Sequence, residues 1–448
     1  MDVFRIQGGR RLSGRIAVEG SKNATLPLMA AALVCDAPVV LRNVPVLSDI
    51  ENMGRLLAEL GCRPRFEGDA LRLENVDTRL THARYEVVRT MRASICVLGP
   101  LLARRGHARV SMPGGCAIGD RPVDLHLRGL RALGARITLD NGDIVATAPR
   151  LVGATIFLGG PFGSTVLGTT NIMTAAALAE GTTIIESAAC EPEVVEVADL
   201  LIAMGAKISG AGGPRIRIEG VKELGAPSGS VEHEVMPDRI VAGTYAIAAA
   251  MTNGDVVLDD FPYDALLAVI DRFAEIGVEV TRVEPGPNQT SQDARRCSVR
   301  VSCQRRLRPS TITTQPHPGF PTDLQAQFMA LLCLAEGNSI ITEKIYPERF
   351  LHVAELSRMG AKLYRQGPTV VVAGPNRLTG APVMASDLRA SAGLVLAGLA
   401  AEGETIVNRV YHLDRGYMRM EEALNALGAD IVRENPERDE EQPAAEAA

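Results

Sequence analysis

No tryptophan occurs in the 448 residues and aromatics make up only 4%, so the 46% apolar content must build its core mostly from Ala, Leu, Val and Ile. A basic surplus is also missing. The net charge is −6, which argues against a nucleic-acid binder. Lysine is scarce, with Lys22, Lys207, Lys222, Lys344 and Lys362 the whole complement, so an anionic ligand has to be held by local positive charge. The eight cysteines at 35, 62, 96, 116, 190, 297, 303 and 333 form no CxxC pair, no His/Cys ligand cluster and no dense spacing. That excludes a zinc site or a secreted disulfide scaffold and fits reduced thiols in a cytoplasm. Long hydrophobic runs are absent too. The segment from Leu26 to Cys35 is short, contains Pro27 and follows a charged, strand-like opening, so it reads as a buried helix rather than a signal peptide or membrane span.

What is present is a repeat with a period of roughly 70 residues. An apolar helical pattern closes on glycine and turns into alternating strand at LLAELGCRPR, LRALGARITL, LIAMGAKISG, FAEIGVEVTR, LSRMGAKLYR and LNALGADIVR. Gly61, Gly134, Gly205, Gly277, Gly360 and Gly428 suit a left-handed position just past a helix end. Half a period earlier an Ala-rich helix, a polar turn and a β-branched strand recur, as in AAALAEGTTIIE and LAGLAAEGETIVNR. The result is an α/β protein of six units, and its length suits two or three domains of roughly 100 to 200 residues.

Polar residues gather where each Ala-rich helix begins, at GSKNATLP, TMRASICV, FGSTVLGTT, MPDRIVAG, FPTDLQAQ and ASDLRASA. Ser21, Thr90, Thr165, Pro237, Thr322 and Ser386 are explained as caps or first-turn residues. Lys22, Arg92, Arg239 and Arg389 are not, because a cation in the first turn opposes the helix dipole unless an anion shares the site. The loop PGGCAIGDRPVDLH, residues 113–126, surrounds Cys116 with Gly114, Gly115 and Gly119, and Arg121 precedes Pro122 at an expected helix start. A thiol in such a setting is presented to ligands, whereas Cys35, Cys62, Cys96 and Cys333 lie in apolar runs and read as small apolar fillers.

Taken with GSKNATLP, TMRASI, AEGTTIIESAACEPEV, MPDRI, HPGFPTDLQAQ, ERFLHVAELSRMGA, DLRAS and YHLDRGYMR, the Cys116 loop resembles the UDP-N-acetylglucosamine 1-carboxyvinyltransferase family of enolpyruvyl transferases over nearly the whole chain. The resemblance implies a two-domain inside-out α/β barrel of six βαβαβ-type units with the active site in the interdomain cleft. It implies phosphoenolpyruvate and UDP-N-acetylglucosamine as substrates with no cofactor or metal; the acidic charge and short apolar runs exclude nucleic acid and membrane as partners, and no obligate protein partner is evident. By the same resemblance, Lys22 and Asn23 match a phosphoenolpyruvate-contacting pair, Arg92, Arg121 and Arg415 the cations around phosphate and carboxylate, and Arg349 and Arg389 further arginines. Asp323 matches the carboxylate beside the sugar 3′-hydroxyl, and Arg121, Pro122, Val123, Asp124, Leu125 and Ile345 match nucleotide-sugar contacts. Cys116 matches the proton donor, a residue that bonds covalently to phosphoenolpyruvate and is attacked by fosfomycin.

Two departures stand out. Where the family has Lys followed by Ser-Val-Gly against the uridine diphosphate, this chain reads GGPFGSTVLGTTNIM with no lysine, leaving Ser164, Thr165, Val166 and Gly168 to supply donors. Asp120 also replaces a small neutral residue beside Arg121. A sibling enzyme acting on shikimate 3-phosphate and a non-catalytic nucleotide-sugar-binding paralogue are the competing readings, and an RNA 3′-end cyclase built from related units fits neither the acidity nor the matched segments. The domains expected are 22–236, carrying the Cys116 loop, and a discontinuous one of 1–21 with 237–433. The return crossing is expected near Val235 to Pro237, and a disordered tail over 434–448, rich in Glu, Pro and Ala.

Overall fold

The computed structural model describes residues 1–113, 123–227, 229–285, 293–303 and 306–435. Their contacts divide the chain into two compact units, one of Met1–Glu19 with the chain from Pro237 onward, the other of the segment from Gly20 to Met236. The first boundary falls between Glu19 and Gly20 rather than after residue 21 because Val18 N–H still donates to Asp259 O in one unit (2.9 Å), whereas Ser21 N–H donates to Met236 O in the other (2.8 Å).

The repeat is visible in the sheets. Among the described residues six four-stranded sheets share one order: an edge strand parallel to its neighbour, followed by two strands that are each antiparallel to the last. In the second repeat His82–Ala83 runs parallel to His107–Ser111, then come Asp143–Thr147 and Arg136–Asp140. Three sheets borrow a strand from far along the chain. Val231–Glu234 pairs parallel with Val39–Arg42, Ser13–Ala17 pairs parallel with Asp255–Phe261, and Val3–Gln7 lies antiparallel between Glu404–Asn408 and Ile431–Glu434. Glu434, which was expected to begin the tail, is instead ordered: it is opposite Val3 and accepts from Arg5 Nε at 3.1 Å. Residues 436–448 lie outside the described residues.

Composition decides which helix goes inside. Arg239–Met251 buries all of its side chains, as a helix apolar on every face must. It packs with Gln325–Leu332 and Leu388–Ala400 in the centre of its unit. In the other unit Val166–Ala176 packs on both Lys22–Ala31 and Leu98–Arg105. Small residues let these helices approach closely: a Cβ on Gly99 would lie 2.3 Å from Asn171 O. The second helix of a repeat is amphipathic. Ser48–Glu59 buries Ile50, Met53, Leu56 and Leu57 on one face, and the exposed outer strands, such as Arg136–Asp140, carry the solvent side of the sheets. Each unit is an inside-out α/β body with its Ala-rich helices within.

All six repeat glycines adopt positive φ, from +77° at Gly61 to +102° at Gly205, which ends the amphipathic helix and starts the next strand. The apolar segment at Leu26 lies in the buried helix Lys22–Ala31 and a 3-10 turn, Ala32–Val34. No helix of the described residues is long and apolar enough to cross a membrane.

Candidate active site

The Gly20–Met236 unit holds the first group of expected site residues. Ser21 caps Lys22–Ala31 by accepting from Ala24 N–H at 3.3 Å, and this places Lys22 and Asn23 in the first turn. Lys22 is buried, with Nζ 3.4 Å from the equally buried Asp49, a carboxylate that sequence reasoning passed over. Arg92 opens a 3-10 turn, Arg92–Val97, with no side-chain cap, so Thr90 does not cap; its hydroxyl donates to Val87 O at 2.7 Å. Cys116, Arg121 and Pro122 lie outside the described residues. Val123 stands at the N-terminal end of Asp124–Ala132, with Asp124 exposed and Leu125 half-buried.

The glycine-rich turn is a small ribbon in which Gly159–Gly160 pairs with Gly163–Ser164. Gly160 sits against Leu125, whose methyl would be 3.2 Å from a Cβ at that position. Behind the ribbon Thr165 caps Val166–Ala176, accepting from Gly168 N–H at 3.2 Å. The Gly168 N–H expected to face a diphosphate is thus already satisfied, and Val166 and Leu167 hold the first-turn N–H groups of this helix. Deeper in the unit Asn171 binds three neighbours: Oδ1 accepts from Gly99 N–H (2.6 Å), while Nδ2 donates to Ile95 O and meets His126 Nδ1 (each 3.0 Å).

The other unit assembles the denser cluster. Asp323, in the 3-10 turn Thr322–Leu324, is gripped by two guanidinium groups: Arg349 Nη1 at 2.7 Å from Oδ1 and Arg389 Nε at 3.3 Å from Oδ2. The side chains of Arg349 and Arg389 are 7% and 3% exposed but that of Asp323 is 27% exposed, so the carboxylate is the edge solvent reaches. Burial opposes the Arg349 charge, yet Asp323, Asp387 and Glu343 outweigh it and hold its pKa above the ordinary arginine value. Arg389, also buried, is raised by Tyr417 and Asp323, and its guanidinium lies 5.4 Å over the Tyr417 ring. Tyr417 Oη lies 3.0 Å from Thr244 Oγ1 and accepts from Gln327 Nε2 at 3.3 Å. Arg415 ends the 3-10 helix Val410–Arg415; burial, reinforced by its charge, lowers the pKa of His412. Ile345 donates its N–H to Glu343 Oε1 at 2.8 Å.

Caps and cations separate cleanly in this half. Asp238 and Asp387 cap the fourth and sixth Ala-rich helices, each accepting from two N–H groups, so Pro237 and Ser386 are not the caps. Pro321 is the residue that precedes the fifth helix turn, and Thr322 lies within it, donating to Glu343. The anion that offsets a first-turn cation is a protein carboxylate in two cases, Asp49 for Lys22 and Asp323 for Arg389.

A family model described as EPSP synthase (3-phosphoshikimate 1-carboxyvinyltransferase) matches residues 6–424. UDP-N-acetylglucosamine 1-carboxyvinyltransferase of Oleidesulfovibrio alaskensis is 52% identical over 433 residues, covering 97% of this chain and 99% of that protein. The enzyme of the same name from Methylacidiphilum infernorum is 50% identical with the same coverage. The chain belongs to the UDP-N-acetylglucosamine 1-carboxyvinyltransferase family. Among solved structures, the enolpyruvyl transferase NikO from Streptomyces tendae has TM-score 0.85 and 26% identity, covering 97% of this chain and 99% of that one. EPSP synthase from Acinetobacter baumannii, at TM-score 0.75 and 18% identity over 97% of this chain and 100% of that one, shares the enolpyruvyl transferase fold. Within this family member, Asp49, Glu343, Tyr417 and Thr244 are the polar residues sequence reasoning missed, because their pairings join segments distant in the chain; the one local signal was the run ITEKIYPER around Glu343.

Proposed function

We propose that the protein transfers the enolpyruvyl group of phosphoenolpyruvate to the 3′-hydroxyl of UDP-N-acetylglucosamine, releasing phosphate, as the first committed step of peptidoglycan precursor synthesis. The observation that carries this reading is 52% identity along 99% of the length of a relative with that name, in a chain that has Lys22, Cys116, Arg121, Asp323 and Arg415. In the addition step the 3′-oxygen bonds to C2 while C3 takes up a proton; in the elimination step phosphate leaves C2 and C3 gives a proton back. The roles follow from chemistry. Asp323, the open edge of a buried diarginine clasp, takes the hydroxyl proton, and Cys116 delivers the proton to C3. Lys22 with Arg92, Arg121 and Arg415 balances the phosphate and carboxylate charges. Asn23 adds a polar contact to phosphoenolpyruvate. Pro122, Val123, Asp124, Leu125, Ser164, Thr165, Val166, Gly168 and Ile345 would line the nucleotide sugar, with Arg349 and Arg389 holding Asp323.

Phosphate release from phosphoenolpyruvate, dependent on UDP-N-acetylglucosamine and absent with shikimate 3-phosphate, is the expected result. Release with shikimate 3-phosphate alone, or none at all, would overturn the reading. Cys116→Asp should retain measurable turnover, since Asp can deliver a proton, while Cys116→Ala should lose about 10²-fold or more. Equal rates for the two variants would remove the proton-donor role from Cys116.

A further inference from the structure

In four of the six repeats a residue at the end of the strand that follows the Ala-rich helix is turned into the left-handed region: Asn43 (φ 56°), Ser187 (54°) and Arg409 (61°) come just after the strand, and Asp260 (55°) is its last residue but one. The equivalent residues of the second and fifth repeats, Met112 and Glu343, are not among the positive-φ residues. The second repeat leads into the Cys116 loop, and the fifth leads into the segment that carries Ile345 and Arg349. In the fifth repeat a side chain takes over the work of the backbone turn. Glu343 is fully buried, at 0% exposure, and its carboxylate accepts from four donors. Its Oε1 accepts from Thr314 Oγ1 (2.6 Å), Ile345 N–H (2.8 Å) and Tyr346 N–H (3.0 Å), and its Oε2 from Thr322 Oγ1 (2.9 Å). Thr314 Oγ1 in turn accepts from Lys344 N–H at 2.9 Å.

The chain of contacts then reaches the reacting carboxylate. Thr322 gives its proton to Glu343, which leaves its lone pairs free to accept from Arg349 Nη1 at 3.0 Å, and the same nitrogen donates to Asp323 Oδ1 at 2.7 Å. Asp323 is the neighbour of Thr322 in the same turn, so Glu343 fixes both the backbone that bears Asp323 and the guanidinium that orients it. We infer that Glu343 is a positioning residue for transfer, setting Asp323 through Thr322 and Arg349 and setting the nucleotide-sugar contact Ile345 through its N–H. This inference rests on the transferase reading above.

The test is Glu343→Gln. An amide nitrogen at the Oε1 position would face three donors, so the amide must turn its NH2 toward Thr322, whose proton then has to leave the arrangement that serves Arg349. Expected are a fall in kcat of about 10- to 100-fold, a several-fold rise in KM for UDP-N-acetylglucosamine, and an unchanged KM for phosphoenolpyruvate. A lower kcat with both KM values unchanged, the mark of a smaller folded fraction, would overturn the inference, as would wild-type kinetics. Thr322→Val should reproduce the fall in kcat and Thr322→Ser should restore it, because only the serine keeps the relaying hydroxyl; equal effects of the two count against the relay. Wild-type turnover in the same assay checks the transferase reading separately. Should that fail, a crystal structure of Glu343→Gln still decides the positioning claim: separation of Arg349 from Asp323 upholds it, and an intact 2.7 Å contact with an unmoved Ile345 loop overturns it.

Discussion

Cysteine shows most directly how position converts a residue type into a property. Burial pushes the Cys62 thiol up to about 11 and the Cys96 and Cys333 thiols up to about 12, which makes them fillers of the Ala-rich cores. At pH 8 the thiolate fraction is then on the order of 10⁻³ for Cys62 and 10⁻⁴ for the other two, before steric exclusion. Brief treatment of the native protein with iodoacetamide at pH 8 should leave these three unmodified by peptide mass mapping. In urea, where their pKa values return to about 8.5, all three should react. Native labelling at Cys96 would show that its core opens readily. The expected filler role of these cysteines was legible from apolar neighbours alone. The first-turn positions of Lys22 and Arg389 were legible as well, because a cation in a helix's first turn violates a local rule. Their partners were not: Asp49 is 27 positions from Lys22 and Asp323 is 66 from Arg389, and no local rule marks a carboxylate as the one that folding brings near.

Among elements, a glycine that marked the repeat in the sequence does a different physical job from one inside a helix. Gly134 sits at φ +96° with nothing within 4 Å of a Cβ, so its requirement is conformational only. Gly134→Ala should cost about 1 kcal/mol, and Gly134→Asn less, since Asn tolerates the left-handed region. Gly99 has no such dihedral demand, but its missing Cβ is what lets Leu98–Arg105 meet Val166–Ala176, and its N–H feeds Asn171. Gly99→Ala must push two backbones apart and should cost more, about 3 kcal/mol. Hydrogen-exchange protection of amides in those two helices is the readout, and a larger loss for Gly134→Ala would refute the assignment. Helix ends and strand alternation were readable because they repeat; helix beginnings were read less well. Asp238 and Asp387 cap where Pro237 and Ser386 were expected, since adjacent polar residues compete and only the backbone path selects one. Arg92–Val97 and Thr322–Leu324 open as 3-10 turns, a choice that tertiary packing makes and propensity does not.

For the molecule as a whole, the borrowed strands say how the chain is threaded. In five sheets the strand next to the parallel pair follows its outer antiparallel partner in sequence, as Asp143–Thr147 follows Arg136–Asp140. In the sixth that place is filled by Val3–Gln7, from the opposite end of the chain, beside Ile431–Glu434. The N-terminal strand is thus the missing last strand of the sixth repeat, and the two ends are already close: the Met1 amino group donates to Asn435 Oδ1 at 3.2 Å, and Asn435 Nδ2 to Asp2 Oδ1 at 3.0 Å. Ile431–Glu434 has no other strand partner among the described residues, so deleting residues 1–8 should unravel that sheet and, by removing Phe4 and Ile6, expose the core around Val407 and Ile431. The unit from Gly20 to Met236 has its own core and receives only Val231–Glu234 from beyond its repeats, so it should keep its exchange protection in the deletion. Conversely, a circular permutant that joins residue 435 to Met1 through a short glycine linker makes the sixth repeat continuous. Opened at the exposed turn around Gly68, where a Cβ would meet nothing within 4 Å, it should fold with protection in both units. Loss of protection in 382–434 in that permutant would mean that a free N-terminus, rather than the strand it begins, holds the sixth sheet together.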